Sequence, residues 1–256
     1  MERSLRESPV AQRKAQHSGF ALERTSNVAE RMPAIRRAKW RGVCEDVRMR
    51  RKPNLDLRIE KCASLLISDP TALRSKWLDE FSFSELHIEL GCGKGRFTVE
   101  TARQSPDALL VGLEKIENVI VIALERATGE DIQNVKYIQG LADNLTDFFA
   151  PGEVSRIYLN FSDPWPSRRH AKRRLTSQVF LDLYKAVLCS GGAIHMKTDN
   201  LPLFEFSLEE FENAGFELIH ITRDLHKDGS IGIMTDYEMK FYEQGVKINH
   251  CVVRKT

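Results

Sequence analysis

From Leu86 to the C-terminus the chain repeats one pattern, a short apolar run, a turn, and then a stretch with helical spacing. Leu86–Leu90, Ala108–Glu114, Val135–Gln139, Val154–Leu159, Ala193–Lys197, Phe216–Thr222 and Ile248–Val253 read as strands. Phe97–Gln104, Glu117–Thr128, Leu141–Phe149, Ser177–Leu188, Phe204–Asn213 and Tyr237–Gln244 read as helices, the fourth stopped by Gly191-Gly192. Strands that alternate with helices must be mostly parallel, because each crossover returns the chain to the same end of the sheet. The expected fold class is therefore α/β: a seven-stranded, mostly parallel sheet with helices on both faces. The last two strands lie close together in sequence and predict an antiparallel edge. There is no internal repeat and no sign of a second domain.

Residues 1–48 behave differently. They carry 11 Lys/Arg against 6 Asp/Glu with little apolar periodicity, and are expected to be disordered or loosely helical, with no site of their own. Subtracting them from the whole-chain totals of 38 and 36 leaves 27 basic against 30 acidic residues, so the body is slightly acidic. A short arm runs from Val47 to about Pro70, and Trp77, Leu78 and Phe81 predict a helix leading into the core. The five cysteines are scattered and form no C-x-x-C pair, which argues against a disulfide framework or a zinc site and fits a reducing cytoplasm. The longest apolar run, Val119–Leu124, is far short of the roughly 20 residues of a membrane span. No apolar leader follows the N-terminal arginines.

The turn after the first strand is Gly91-Cys92-Gly93-Lys94-Gly95. Glycines here let a ligand approach the backbone. The G-x-G-x-x-G of a dinucleotide fold is missing, since Arg96 stands in place of its third glycine, and so is the Gly-Lys-Ser/Thr of a nucleoside-triphosphate loop. Two acids flank the turn instead. Glu89 precedes the first glycine by two residues and suits a cationic group such as an α-ammonium. Glu114 ends the next strand, where an acid takes the ribose hydroxyls of an adenosine. A ligand with a ribose, an ammonium and no phosphate is S-adenosylmethionine.

The fourth strand runs into Asn160-Phe161-Ser162-Asp163-Pro164-Trp165-Pro166, which sets a carboxylate beside an aromatic in a proline-stiffened loop. Arg168, Arg169, Lys172, Arg173 and Arg174 follow within seven residues. An acid at a strand end beside a cationic run predicts a polyanion held against a chemical centre. Read as phosphate contacts, these five side chains would bind RNA backbone without sequence preference. Trp165 can stack on a base or simply pack. His170 and His195 have no ligand-like spacing, and no metal is expected.

Together these pieces resemble the bacterial tRNA (guanine-46-N7)-methyltransferases. The matching stretches are Glu89–Gly95, Val111–Lys115, Tyr158–Thr176, Ile194–Asn200 and Met234–Glu238, in that order, over roughly four-fifths of the chain. The resemblance implies a Rossmann-like class I methyltransferase that uses S-adenosylmethionine and binds tRNA, with no metal. It implies donor contacts at Glu89, Gly91, Gly93, Glu114, Leu141, Ala142 and Asp163, with Asp163 also the catalytic carboxylate. It implies guanine contacts at Asp199 and at Thr235, Asp236, Tyr237 and Glu238. Leu141 stands where many relatives have an acid, and Ser167 where many have lysine. Chains of this family typically begin near Met49, which makes Met49 a candidate start and leaves residues 1–48 as either an authentic arm or a mis-set start. A cytoplasmic monomer or homodimer is compatible with all of this.

Two other readings stay open on the residues alone. An amino-group methyltransferase uses a related Asp/Asn-Pro-Pro-aromatic loop but must remove an amino proton, whereas guanine N7 presents a free lone pair and yields a cationic product. A non-catalytic tRNA-binding relic would keep the fold and lose donor binding.

Overall fold

The computed structural model describes residues 51–227 and 232–256. The expectations for residues 1–48 and for a start at Met49 lie outside the described residues. Seven strands form one sheet: β1 (Glu85–Leu90), β2 (Ala108–Glu114), β3 (Val135–Gln139), β4 (Val154–Asn160), β5 (Leu188–Thr198), β6 (Phe216–Thr222) and β7 (Asn249–Lys255). Their spatial order is β3-β2-β1-β4-β5-β7-β6. The first five are mutually parallel, and β7 pairs antiparallel with β5 on one side and β6 on the other. The last two strands thus form the antiparallel edge that the sequence predicts, with β7 inserted between β5 and β6 so that β6 is outermost. With a partner on each side, the backbone of β7 is hydrogen-bonded along both edges.

Two apolar cores sandwich the sheet. Alternation along β1 sends Leu86, Ile88 and Leu90 to one face and His87 and Glu89 to the other. The first face packs on Phe180, Leu181 and Tyr184 of α6 (Gln178–Val187) and on Phe204 and Phe211 of α7 (Leu201–Asn213). The opposite face is covered by Val99 and Ala102 of α3 (Arg96–Gln104) and by Ile120, Ala123 and Leu124 of α4 (Glu117–Gly129).

The arm at residues 51–84 is more structured than the sequence indicates. Its α1 (Leu55–Lys61) docks on α4, with Arg58 donating twice to Glu125 at 2.6 Å. Leu65 and Ile67 then exchange backbone hydrogen bonds with Tyr137, covering the outer edge of β3. The helix expected at Trp77 is α2 (Trp77–Phe81); the indole is fully buried and donates to the Phe148 carbonyl of α5 (Leu145–Phe148) at 2.9 Å.

Among the boundaries that move, two have a clear local cause. The chain passes from α6 directly into β5, so Gly191 and Gly192 lie inside a strand and do not cap a helix. A Cβ on Gly192 would meet Cys189 O at 3.0 Å and Ser155 O at 3.2 Å, beside the register shift between β4 and β5. Helix α7 begins three residues earlier than its periodicity indicates, because the Asn200 side chain accepts the Leu203 N–H at 2.9 Å. The last helix is α8 (Asp236–Glu243).

Candidate active site

Strand order reverses between β1 and β4, and the crevice at their C-terminal ends is where an open α/β sheet takes a ligand. A cavity of about 330 Å³ opens there. Its floor is Glu89, only 4 % exposed, whose carboxylate accepts from Thr98 Oγ1 at 2.5 Å and from Asn160 Nδ2 at 2.9 Å. Burial pushes the Glu89 carboxyl up to about 7, against the pull of these two donors and the nearby Lys197 ammonium.

The glycine turn forms one wall. Gly91, Gly93 and Gly95 all have positive φ, at 74°, 58° and 75°. A Cβ on Gly91 would meet nothing within 4 Å and one on Gly93 only Gly91 O at 4.0 Å, so backbone conformation demands glycine and the space beyond is open to a ligand. Gly95 differs: a Cβ there would strike Ala123 Cβ at 2.6 Å, so this glycine serves the close approach of α3 and α4. The Glu114 carboxylate is held by the backbone N–H groups of Gly93 (3.2 Å) and Ile116 (2.9 Å), beside the turn. A buried carboxylate, an unobstructed backbone and a second, oriented carboxylate fit the ammonium, the close-lying body and the ribose of S-adenosylmethionine.

The opposite wall comes from α8 and its N-cap: Thr235, Asp236, Tyr237 and Lys240 line the same cavity as Glu89, Gly91 and Gly93. Asp236 is bound by Arg126 of α4 at 2.9 and 3.2 Å, which fastens α8 to the donor half of the fold. Tyr237 is half-exposed and packs on Phe161, with ring centroids 5.2 Å apart. Glu238 turns the other way. It is fully buried, accepts from Lys197 Nζ at 3.1 and 3.2 Å, meets His226 Nε2 at 3.0 Å, and closes a reciprocal cap with Thr235. Of the four adjacent residues expected to touch guanine, Glu238 has no open face toward the cavity and instead seats the helix that carries the others.

Asp163 is exposed on the loop beyond β4 and is not on the cavity wall; no hydrogen bond or ion pair reaches it among the described residues. The loop is bracketed by two aromatic residues with left-handed backbones, Phe161 (φ 52°) and Trp165 (φ 41°). Such residues cost about 1–3 kcal/mol each and persist only where their surroundings impose them. Here the Phe161 N–H donates to Lys197 O at 2.8 Å, and the Arg174 guanidinium donates to Pro164 O at 3.0 Å and to Trp165 O at 3.1 Å. Arg173 lies over the Trp165 ring at 4.9 Å. Arg174 therefore faces inward as a clamp on the loop, whereas Arg168, Arg169 and Lys172 stand exposed on a 3-10 turn (Arg168–Arg173).

Leu141, Ala142 and Asp199 also lie off the cavity wall. The Gly140 N–H donates to Glu114 O at 3.2 Å, which keeps the Leu141–Ala142 loop next to the end of β2. Sequence reasoning missed Thr98 and Asn160 as the donors to Glu89, and Arg126 and Lys197 as the anchors of α8. Asn160 and Lys197 stood inside the singled-out stretches, but only their pairing across strands gives them roles. Among the described residues no cluster of three His, Cys, Asp or Glu side chains is arranged to hold a metal ion, and no helix is long and apolar enough to cross a membrane.

Residues 84–251 match a sequence family described as "Putative methyltransferase". Curated relatives include the tRNA (guanine-N(7)-)-methyltransferase of Bacillus subtilis (strain 168), 47% identical over 79% of this chain and 96% of the relative. The enzyme of the same name from Geobacillus kaustophilus (strain HTA426) is 44% identical over 80% and 95%. Among solved structures, the 16S rRNA methyltransferase KamB superposes with a TM-score of 0.56 at 18% identity, over 71% of this chain and 93% of that one, a likeness of fold alone.

Proposed function

The chain belongs to the tRNA (guanine-N(7)-)-methyltransferase family, and on that premise we propose that it methylates N7 of guanine 46, in the variable loop of tRNA, at the cavity between the glycine turn and α8. It is an S-adenosylmethionine-dependent methyltransferase of the Rossmann-like class I fold. The observation that carries the assignment of the site is the buried Glu89 carboxylate on the cavity floor, oriented by Thr98 and Asn160 at the point where strand order reverses.

S-adenosylmethionine supplies an electrophilic sulfonium methyl. Glu89 accepts from the donor's ammonium and Glu114 from its ribose hydroxyls, with Gly91 and Gly93 leaving room for its body; Leu141 and Ala142 flank the same ligand. Guanine N7 carries an in-plane lone pair and no proton, so alignment matters more than a strong base. Asp163 stabilises the positive charge that passes to the imidazole half of the guanine, an electrostatic role that needs no proton transfer. Asp199 accepts from the N1–H or N2–H₂ edge. Tyr237, half-exposed against Phe161, offers a face for the base, and Thr235 and Asp236 fix the start of its helix. Arg168, Arg169, Lys172 and Arg173 hold phosphates. We read the enzyme as cytoplasmic, on its scattered cysteines, and as a monomer or homodimer.

The test is to incubate the protein with unmodified tRNA and S-adenosylmethionine, digest, and identify nucleosides by mass spectrometry. A 7-methylguanosine peak mapping to position 46, lost in Asp163→Ala with donor binding retained, is expected. Methylation on an exocyclic amino group, or full activity in Asp163→Ala, would refute it.

A further inference from the structure

A second cavity, of about 380 Å³, lies between α3 and α8, lined among others by Arg96, Gln104, Met234, Met239, Tyr242 and Glu243. None of the roles above uses it. Helix α8 separates it from the donor cavity: Asp236, Tyr237 and Lys240 face the one, while Met239, Tyr242 and Glu243 face the other, two neighbouring stripes at helical spacing. Arg96 lines both cavities and has no ion-pair or hydrogen-bond partner among the described residues. Each stripe also carries a half-exposed tyrosine, Tyr237 at 50 % and Tyr242 at 41 %.

An exposed aromatic beside an unpaired guanidinium is what stacks and neutralises a single strand of nucleic acid. The second cavity adds the rest of a base site. Met234 and Met239 supply a polarizable apolar lining, and Gln104 and Glu243 offer an amide and a carboxylate to the polar edge of a base. His226 packs edge-on against Tyr242 with ring centroids 5.0 Å apart, which holds that ring in place.

We propose that this cavity is a second base subsite, taking the nucleotide next to the target guanine, with Arg96 on the phosphate that joins the two. The proposal rests on the RNA reading above. A nucleoside buried in the variable loop must be splayed out to reach the donor, and a seat for its neighbour would hold the strand open.

The experiment measures binding and single-turnover methylation of tRNA made with an abasic residue on one side or the other of the target guanine, using wild type, Tyr242→Ala and Met239→Trp. Tyr242→Ala, with an intact fold checked by melting curve, is expected to weaken tRNA binding roughly 5- to 100-fold with donor affinity unchanged. One of the two abasic tRNAs should lose as much in wild type and nothing further in the variant. Met239→Trp, which fills the cavity, should reproduce the loss. Multiplying losses, or abasic tRNAs that bind normally on both sides, would overturn the subsite. Loss of donor affinity in Met239→Trp would assign the cavity to the donor and also overturn it. Failure of the guanine-N7 reading would appear separately, as wild-type product that is not 7-methylguanosine.

Discussion

Replacing Lys197 by Met should destabilise the wall of the donor cavity more than any surface change near it. Glu238 is fully buried, and its carboxylate is met by the Lys197 ammonium at 3.1 and 3.2 Å and by His226 at 3.0 Å. Lys197 also donates to Ile233 O at 2.8 Å, so one side chain ties the segment before α8 and the helix itself to the end of β5. Removing one partner of a buried pair leaves an uncompensated charge and costs about 3–5 kcal/mol. In a domain of this size each kcal/mol moves Tm by about 2–4 °C, which gives a fall on the order of 10 °C. Replacing both members with apolar residues should cost far less, because no charge is then stranded. Thermal melts of Lys197→Met, Glu238→Leu and the double variant give the coupling by a double-mutant cycle. Hydrogen exchange across α8 then reports whether that helix loosens. A single variant melting within about 2 °C of wild type, or strictly additive effects, would refute the ion pair as the anchor of α8.

Other outcomes follow from the same geometry. Burial raises the Glu89 carboxyl to about 7, above its ordinary 4.5, so the folded ligand-free protein holds a proton there that the unfolded chain releases. Its stability should fall as pH rises from 4.5 toward 7, and donor affinity, which needs the ionised form, should weaken about tenfold per unit below 7; Glu89→Gln should flatten both, as calorimetric titrations would show. Arg174→Ala removes the donors to Pro164 O and Trp165 O and frees the Asp163 loop, so turnover should drop at least tenfold while donor affinity holds; an unchanged rate counts against the clamp. Gly95→Ala forces a Cβ to 2.6 Å from Ala123 at φ 75°, a loss of about 2–4 kcal/mol. Gly93→Ala meets no such contact and should lose only about 1–2 kcal/mol in denaturant melts while weakening donor binding.

Local pattern carried much of this protein. The βα alternation, the glycine turn and the acids at the ends of β1 and β2 are legible because period and turn chemistry are set by residues adjacent in the chain. The Asp163 loop and the cationic run declare themselves for the same reason, through prolines and charge density. The family resemblance added roles that spacing alone does not assign. What sequence left open are the matters of which way a side chain faces. Thr235 to Glu238 read as one guanine-binding stretch, yet a helix sends adjacent residues to different sides, and Glu238 ends buried on Lys197 while Tyr237 faces the cavity. Arg174 reads as one more phosphate contact until the loop folds back and presents two carbonyls to it. The placement of β7 between β5 and β6, and the meeting of Asn160 with Glu89 across 71 positions, depend on sheet order and register. Those are fixed by burying two apolar faces at once, a condition on the whole chain that no local stretch contains.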